Sequence, residues 1–262
     1  MTENDIVYVA VAPSGTLQPD LIRKAAGILN KDLPDVRLLL AAGMPRIAGR
    51  YSSVQLAEEI AHNLSDAGLA AIVCTHSVLY PPSAPLTAHQ LEFGDGHVTA
   101  RDTEGRTRRM TADNVSLILE GMNRSLSRAE TITTRMKFSL PATLLAGGIP
   151  IWRRVKEKSQ EASLQAESFV RVYGPDPSEP SVDILEYHVD YSFLGPHVAP
   201  SSLTNFNTTA KKLRSLFPQA AYDDTLTRPT RPSAPTARVR DDTETVSRLI
   251  YLFCLAGRRA PG

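Results

Sequence analysis

The stretch at residues 88–122, AHQLEFGDGHVTARDTEGRTRRMTADNVSLILEGM, constrains the fold of this chain more than any other. Two turn sequences, GDG at 94–96 and TEG at 103–105, divide it into three short segments in which apolar and polar residues alternate. Such alternation between glycine-containing turns predicts a β-meander. The same pattern returns at 168–194, and an amphipathic helix is predicted at 201–217. A meander closed by a helix indicates a binding architecture rather than a catalytic one.

The composition is that of an ordinary soluble globular protein, with 42% hydrophobic and 22% charged residues. Its 262 residues suffice for one large domain or two small ones. A formal net charge of +1 predicts that nucleic acid is not a partner, because surfaces that follow phosphates carry a clear basic excess.

Several features predict a cytoplasmic protein. The N-terminal sequence MTENDIVYVAVAP lacks the basic region and the long apolar run of a signal peptide. No apolar run reaches the roughly 18 residues that a membrane span needs. Cys74 and Cys254 lie in apolar runs, which predicts two buried free thiols and a reducing compartment.

Residues 1–80 are predicted to form a small α/β sandwich domain with its helices on one face of the sheet. β-Branched and apolar runs indicate strands, and apolar residues at helical spacing indicate helices. Ser52 or Ser53 can cap the last helix, and Gly68 ends it. The predicted elements are a strand at 5–12, a helix at 17–29, a short helix at 34–43, a strand at 45–51, a helix at 54–68 and a strand at 69–75. The run VRLLLAA within 34–43 is also compatible with a buried strand, but Pro34 suits a first helical position and Gly43 a C-terminal cap.

The segment PRIAGRY–SSVQLAEEIAHNLSDAG–LAAIVC of this domain resembles the C-terminal half of a known fold. In the globular domain of the bacterial ribosomal stalk protein and in the Clp protease adaptor, a short strand precedes a long helix that ends in Ala-Gly, and a strand follows. The resemblance covers residues 5–75 and implies a protein-contact role by analogy of fold. No residue of the adaptor's ligand pocket is carried over, because no position here matches a motif for it.

The proline-rich stretch 81–85 predicts a stiff connector and a domain boundary. Beyond it, residues 86–225 resemble a bacterial pleckstrin-homology-like domain, in which strands, an insertion, further strands and a closing helix follow one another. The resemblance implies a β-barrel closed by the helix. Phosphoinositide-binding members of this superfold carry Lys and Arg in the first hairpin, whereas this chain has Glu92 and the acidic turn 94–96 there. Inositol-phosphate binding is therefore not expected.

An insertion at 124–165 interrupts this second domain. Its apolar segment, FSLPATLLAGGIPIW at 138–152, has basic residues on both sides, among them Lys137 and Arg153. Two interpretations stay open. The segment packs as a hairpin or loop on the domain or on a partner subunit, or it makes weak contact with an anionic membrane surface.

The C-terminal part is predicted to be a disordered linker at 227–242 followed by an amphipathic helix at 243–259. An isolated helix of this length is marginal in water, so its apolar face must be buried against something. It docks either on its own domain or in a groove on a partner.

Three groups of residues are candidates for chemistry, and each also has a simpler structural explanation. The loop at 13–16 could hold a phosphate at a helix N-terminus, but it lacks the glycine-rich and Walker patterns. Cys74 and His76 share a predicted strand face, without the further ligands of a metal site. His188 and Asp190 share another strand face and could form an acid–base pair. No catalytic residue, cofactor or metal is predicted.

The sequence thus predicts an α+β protein that acts as a non-enzymatic interaction or scaffold protein, with a protein partner or a second copy of itself. Contacts are assigned to the apolar insertion and to the terminal helix. The predicted partner-binding residues are Leu144, Leu145, Ile149, Ile151, Trp152, Val246, Leu249, Ile250 and Phe253. The alternatives are a peripheral membrane adaptor that uses 138–152 and a nucleotide- or phosphate-binding enzyme that uses 13–16.

Overall fold

The computed structural model describes residues 6–12, 17–41, 43–138, 152–228 and 239–259. The strands are β1 (Val7–Ala12), β2 (Arg46–Tyr51), β3 (Ala70–Thr75), β4 (Leu86–Thr87), β5 (Gln90–Gly94), β6 (His97–Arg101), β7 (Thr107–Thr111), β8 (Leu117–Phe138), β9 (Trp152–Tyr173), β10 (Val182–Leu185) and β11 (Ala221–Leu226). The helices are α1 (Pro19–Leu29), α2 (Leu33–Ala41), α3 (Val54–Asp66), α4 (His76–Leu79), α5 (Ser202–Leu216) and α6 (Val239–Arg259), with short 3₁₀ helices at Ala112–Asn114 and Tyr191–His197.

The chain divides into two compact units. The larger one comprises Met1–Asn123 and Glu167–Gly262, and the smaller one is Arg124–Ala166, which contains the distal parts of β8 and β9. The smaller unit covers the stretch that the sequence sets apart as an insertion at 124–165. Neither boundary between the units falls at the proline-rich connector 81–85.

Strand β1 is the centre of a three-stranded antiparallel sheet with the order β2-β1-β3. All of its residues from Val7 to Val11 are buried. Because successive side chains of a strand point to opposite faces, a wholly apolar strand indicates a sheet that is covered on both faces. Val7, Val9 and Val11 pack with α1, α2 and α3 in one core. Tyr8 and Ala10 belong to a second core on the other face.

Local signals fix the ends of the helices on this sheet. Pro19 is the first residue of α1, and Asn30 ends the helix in the left-handed conformation with φ 48°. Ser53 caps α3, because its hydroxyl oxygen accepts a hydrogen bond from the backbone N–H of Leu56. Gly68 follows α3 with φ 96°, which glycine adopts without strain. The order of elements from β1 to β3 is the order that the sequence predicts.

The second half of the larger unit contains two further sheets. A five-stranded mixed sheet has the order β11-β8-β9-β10-β4, with β4 parallel to β10 and β11 parallel to β8. A separate antiparallel sheet, β5-β6-β7, is the meander that the sequence predicts at 88–122. Helix α5 packs between these sheets through Phe206, Ala210 and Leu213.

None of these sheets closes into a barrel within the described residues, so the pleckstrin-homology-like barrel predicted for 86–225 is corrected to an open α+β arrangement. A 3₁₀ helix at Ala112–Asn114 ends the meander, because the Asn114 side chain accepts a hydrogen bond from the backbone N–H of Thr111. The strand predicted at 182–195 stops at Leu185. Strand β11, which the sequence analysis did not foresee, pairs with β8 at the edge of the sheet.

Helix α6 packs against both the β2-β1-β3 sheet and the five-stranded mixed sheet. Its Leu249 and Tyr251 are almost fully buried, and they share a core with Tyr8 of β1, Leu117 of β8 and Phe169 of β9. The terminal helix predicted at 243–259 is therefore present and docks on its own chain. Most of the predicted linker at 227–242 lies outside the described residues.

Candidate functional site

The apolar face of α6, to which the sequence assigns partner contacts, is occupied within the chain. Val246, Leu249 and Ile250 are buried, and Phe253 is half-buried against the same core. These side chains are covered by the two sheets, so the folded larger unit does not present them to a partner.

The other predicted contact residues belong to the smaller unit. Leu144, Leu145, Ile149 and Ile151 lie outside the described residues, and Trp152 is the first residue of β9. Among the helices of the described residues, none combines the length and the apolar character that crossing a bilayer requires.

Cys74 and His76 do not share a strand face, because β3 ends at Thr75. Cys74 lies in the core beside α6, where burial raises the pKa of its thiol to about 11 although the nearby Arg248 lowers it. His76 begins α4, and its Nδ1 lies 3.0 Å from the hydroxyl oxygen of Tyr8. In the part of the chain that the structure describes, no group of three or more His, Cys, Asp and Glu residues could hold a metal ion.

His188 and Asp190 are also separated, because β10 has ended before them. The Nδ1 of His188 lies 3.0 Å from Oε1 of Glu167. The carboxylate of Asp190 instead accepts hydrogen bonds from the backbone N–H and the hydroxyl of Ser192, which lower the pKa of Asp190. The third candidate, the loop at 13–16, lies outside the described residues.

A cleft of about 630 Å³ lies elsewhere, next to the proline-rich connector. We call it the connector cleft. Its walls are the stretch 80–85, Arg171 and Tyr173 of β9, and Glu244 and Arg248 of α6. The volume suits one small molecule, and the mixture of prolines, tyrosines and a few charged groups is typical of a binding pocket.

Sheet register and helical spacing bring these side chains together. Phe169, Arg171 and Tyr173 alternate along β9, so they share the face that packs against α6. Glu244, Arg248 and Tyr251 lie at positions i, i+4 and i+7 of α6, a spacing that places them on one side of the helix. The cleft therefore lies where one strand face meets one helix side.

Arg171 forms an ion pair with a carboxylate inside the sheet. It stands directly across from Asp183 in the register of β9 and β10. Its Nε and Nη2 donate to the two carboxylate oxygens at 2.8 and 2.6 Å, and both side chains are nearly buried. Burial alone would lower the pKa of Arg171, but Asp183 raises it above its ordinary value. The hydroxyl of Ser181 also donates to Asp183, at 3.1 Å.

Two tyrosines lie beside the arginines, and one of them, Tyr173, lines the cleft. The rings of Tyr173 and Tyr251 are stacked, with centroids 4.2 Å apart and an interplanar angle of 8°. The Tyr251 hydroxyl donates to the carbonyl oxygen of Gly174 at 2.8 Å. Burial raises the pKa of each tyrosine to about 12, so both are neutral at pH 7 and add no negative charge to the cleft.

Arg248 differs from Arg171 because carbonyl oxygens, not a carboxylate, accept its hydrogen bonds. The residue is 5% exposed. Its Nε donates to the carbonyl oxygen of Val78 at 3.0 Å, and its Nη2 donates to the carbonyl oxygen of Pro177. The guanidinium carbon lies 5.0 Å from the centroid of the Tyr251 ring, a cation–π distance. Within the described residues, Arg248 forms no ion pair.

Burial is the largest influence on Arg248 and lowers its pKa, and the charge of Arg171 lowers it further, whereas Tyr173, Tyr251 and Cys74 raise it. The carboxylates of Asp176 and Glu179 act on the neighbouring Tyr251, whose pKa they raise. The Cys74 thiol and the two tyrosines are uncharged at pH 7. Glu244 lies exposed at the rim, outside ion-pair distance of Arg248.

The sequence predicts no residue of the connector cleft as a site residue, and it singles out the prolines only as a stiff connector. A signal was available: Arg171 interrupts the apolar strand SFVRVYG, and Arg248 interrupts the apolar helix VSRLIYLF. A charged residue within a buried apolar element needs a specific partner, so such an arginine marks either an ion pair or a binding site.

The resemblances of 5–75 to the ribosomal stalk and Clp adaptor fold and of 86–225 to pleckstrin-homology-like domains rest on the sequence pattern alone. Comparison of the chain with protein-family models, with curated proteins and with solved structures gave no significant match.

Proposed function

We propose that this chain is a non-enzymatic binding protein and that the connector cleft is its ligand site. The observation that carries the proposal is Arg248, a buried guanidinium without a carboxylate partner at the wall of a cleft that suits a small molecule. Taking a charge out of water without a counter-charge is costly. A buried charge without a counter-charge beside a cleft therefore marks the cleft as a candidate ligand site.

The candidate catalytic residues favour a binding role over a catalytic one. Cys74 is a neutral buried thiol, and its raised pKa makes it a poor nucleophile at pH 7. His188 contacts Glu167, whereas Asp190 serves as a cap for the 3₁₀ helix that follows. The residues that line the connector cleft include neither Cys74 and His76 nor His188 and Asp190.

A fragment screen by amide NMR tests the proposal. The full chain, labelled with ¹⁵N, is titrated with a library that contains neutral, cationic and anionic fragments. We expect the shifted amides to cluster at Ser83, Ala84, Arg171 and Arg248. Fragments that bind only elsewhere, or no binding in the millimolar range, would contradict the proposal.

A matched pair of variants separates the cleft from the rest of the surface. Ala84 is exposed and lines the cleft, so Ala84→Trp should block it and abolish the clustered shifts. Ala41, at the end of α2, is also exposed but lies outside the cleft lining. Ala41→Trp adds the same ring and should leave binding unchanged. Equal effects of the two variants would refute a site at the cleft.

A second candidate function is contact with an anionic membrane surface. It is favoured by the position of the apolar segment 138–152, which lies in the separate compact unit Arg124–Ala166. That unit carries eight basic and three acidic residues, which are Arg124, Arg128, Arg135, Lys137, Arg153, Arg154, Lys156 and Lys158 against Glu130, Glu157 and Glu161. Basic flanks around an apolar segment suit an anionic bilayer interface.

Liposome flotation tests this second candidate. Vesicles that contain phosphatidylserine should carry the protein to the top of the gradient, and purely zwitterionic vesicles should not. Replacing 139–151 with a short glycine-serine turn should abolish flotation. Retention of that variant, or no flotation of the intact chain, would count against membrane contact.

A further inference from the structure

We propose that the connector cleft binds an oxyanion, a carboxylate or a phosphate, that is attached to an apolar or aromatic body, and that Arg248 receives the oxyanion. This assignment rests on the proposed binding function and names the ligand class of the same site. It also assigns a role to Glu244 as a charge that weakens the binding of the anion.

The donors of Arg248 are only partly used. A guanidinium has five N–H groups. The carbonyl oxygens of Val78 and Pro177 account for bonds from Nε and Nη2, and no bond from Nη1 is formed within the described residues. No fully buried side-chain nitrogen or oxygen of those residues lacks a partner, so Nη1 of Arg248 is not fully buried, and Arg248 lines the cleft. Nη1 is therefore available to a ligand.

The fixed position of Arg248 favours an anion over a neutral acceptor. Two carbonyl bonds and the Tyr251 ring hold the guanidinium, so little conformational entropy remains to be lost on binding. A charge-assisted hydrogen bond in a partly desolvated site is roughly twice as strong as a neutral one. Arg171 is ion-paired with Asp183, and its charge still lowers the pKa of Arg248.

The remaining walls indicate what the oxyanion is attached to. The accessible apolar and aromatic surface of the cleft comes from the prolines of the connector and from the exposed Tyr80, whereas Leu79 and Tyr173 line it as nearly buried side chains. A bare inorganic ion would leave this surface in water, whereas an apolar or aromatic group would cover it. A benzoate or a phenyl phosphate has the required combination.

Glu244 opposes such a ligand without being part of the binding contacts. It precedes Arg248 by one helical turn and lines the same cleft, but it is exposed and forms no ion pair with Arg248. Its negative charge therefore lowers the affinity for an anion through a screened, longer-range interaction. A zwitterionic ligand would instead gain from Glu244, so the sign of a Glu244 substitution discriminates between the two ligand classes.

Binding of four probes to the full chain tests the assignment. Benzoate and phenyl phosphate are compared with benzyl alcohol and benzylamine by NMR titration. At least one anion should bind with a Kd about tenfold lower than benzyl alcohol, the ratio expected for one charge-assisted bond. The anion with the lower Kd identifies carboxylate or phosphate as the source, and added salt should weaken its binding.

Two substitutions locate the interaction. Arg248→Met should remove the preference for anions and bring the Kd of the better anion to that of benzyl alcohol. Glu244→Gln removes an exposed unpaired charge, so the fold is retained, and the Kd of the anion should fall about threefold. The anion Kd of Glu244→Gln tests the oxyanion assignment even if Arg248→Met does not fold.

The outcomes separate the assignment from the proposed function. If benzyl alcohol or benzylamine binds in the cleft as tightly as the anions, the cleft is a ligand site and the oxyanion assignment is wrong. An unchanged or increased anion Kd in Glu244→Gln also overturns the assignment. If none of the probes and no library fragment shifts the amides of the cleft, the proposed function fails as well.

Discussion

Two arginines line the connector cleft, and they differ in their hydrogen-bond acceptors: Arg171 is paired with a carboxylate, whereas Arg248 donates to backbone carbonyl oxygens. Arg171 belongs to β9 and meets Asp183 of β10 in direct register, where two short hydrogen bonds pair it with the carboxylate. Arg248 belongs to α6, donates to the carbonyl oxygens of Val78 in α4 and of Pro177, and lies at cation–π distance from the Tyr251 ring. Both side chains are nearly buried.

The difference shows how one cleft can combine a structural and a functional cation. An ion pair in register across two strands satisfies its own charge, and its loss is felt mainly in stability. Carbonyl oxygens satisfy the geometry of a guanidinium without cancelling its charge. Arg248 therefore retains a positive charge that can attract an anionic ligand. The counter-ion of Arg171 is already supplied by Asp183.

The largest expected effect comes from breaking the Arg171 pair. Asp183→Asn leaves the guanidinium buried without its counter-charge, which should cost about 3–5 kcal/mol of the free energy of unfolding. For a unit of this size we expect the Tm to fall by roughly 10 °C. Urea unfolding followed by circular dichroism measures the change.

An apolar replacement of the whole pair is the control for this prediction. Arg171→Met combined with Asp183→Leu removes both charges together, so most of the stability should return. If Asp183→Asn alone costs less than about 1 kcal/mol, the pair does not carry the stability that its burial implies.

The second prediction is a smaller loss for Arg248→Met. Two carbonyl oxygens lose a donor, but the substitution also removes an uncompensated charge from a partly buried site. We expect a net loss of about 1 kcal/mol, because an ordinary hydrogen bond contributes about that much. A loss as large as that of Asp183→Asn, measured by the same urea unfolding, would show that Arg248 is as much a structural residue as Arg171.

The sequence predicts the N-terminal part of this fold well because its signals are local. Ser53 caps α3, Gly68 takes the positive φ after it, and Pro19 opens α1, each through contacts with near neighbours in the chain. The meander at 88–122 is predicted for the same reason, since its turns are short and its strands are consecutive.

The barrel prediction was wrong because strand partners are decided by contacts distant in sequence. Strand β8 pairs with β11, about a hundred residues later, and β4 pairs in parallel with β10. The cleft was missed for a related reason: Arg248 contacts Val78 across a sequence separation of 170 residues. The wholly apolar strand β1 was the available signal, because a strand buried on both faces requires a second layer such as α6.

The third prediction uses Cys74 as a reporter of the charge on Arg248. Burial raises the pKa of Cys74 from 9.0 to about 11, so the folded protein holds the thiol proton where the unfolded chain has lost it. This contribution to stability is fully present below pH 9 and is lost as the pH rises towards 11. Between about pH 8 and pH 10, the expected loss is about 1 kcal/mol.

Cys74→Ala supplies the control, because other groups also titrate in this range. The difference in urea stability between the two proteins should change with pH by that amount. Arg248 lowers the pKa of Cys74, so in Arg248→Met the thiol should titrate at still higher pH. An identical pH dependence of stability in Arg248→Met and in the unaltered chain would contradict the proximity of the two groups.

The smallest expected effect is the coupling between Glu244 and Arg248. The two residues are spaced as a helical i,i+4 pair, yet no ion pair joins them in the described residues. A double-mutant cycle with Glu244→Gln and Arg248→Met should therefore give a coupling in unfolding free energy below about 0.5 kcal/mol.

The same cycle for Asp183 and Arg171 should give a coupling free energy several times larger. The two couplings are thus compared within one protein. A Glu244–Arg248 coupling as large as that of the buried pair would mean that Glu244 folds over the cleft in solution and neutralises Arg248 there. In that case the connector cleft would hold two ion pairs instead of one, and Arg248 would have no charge left for a ligand.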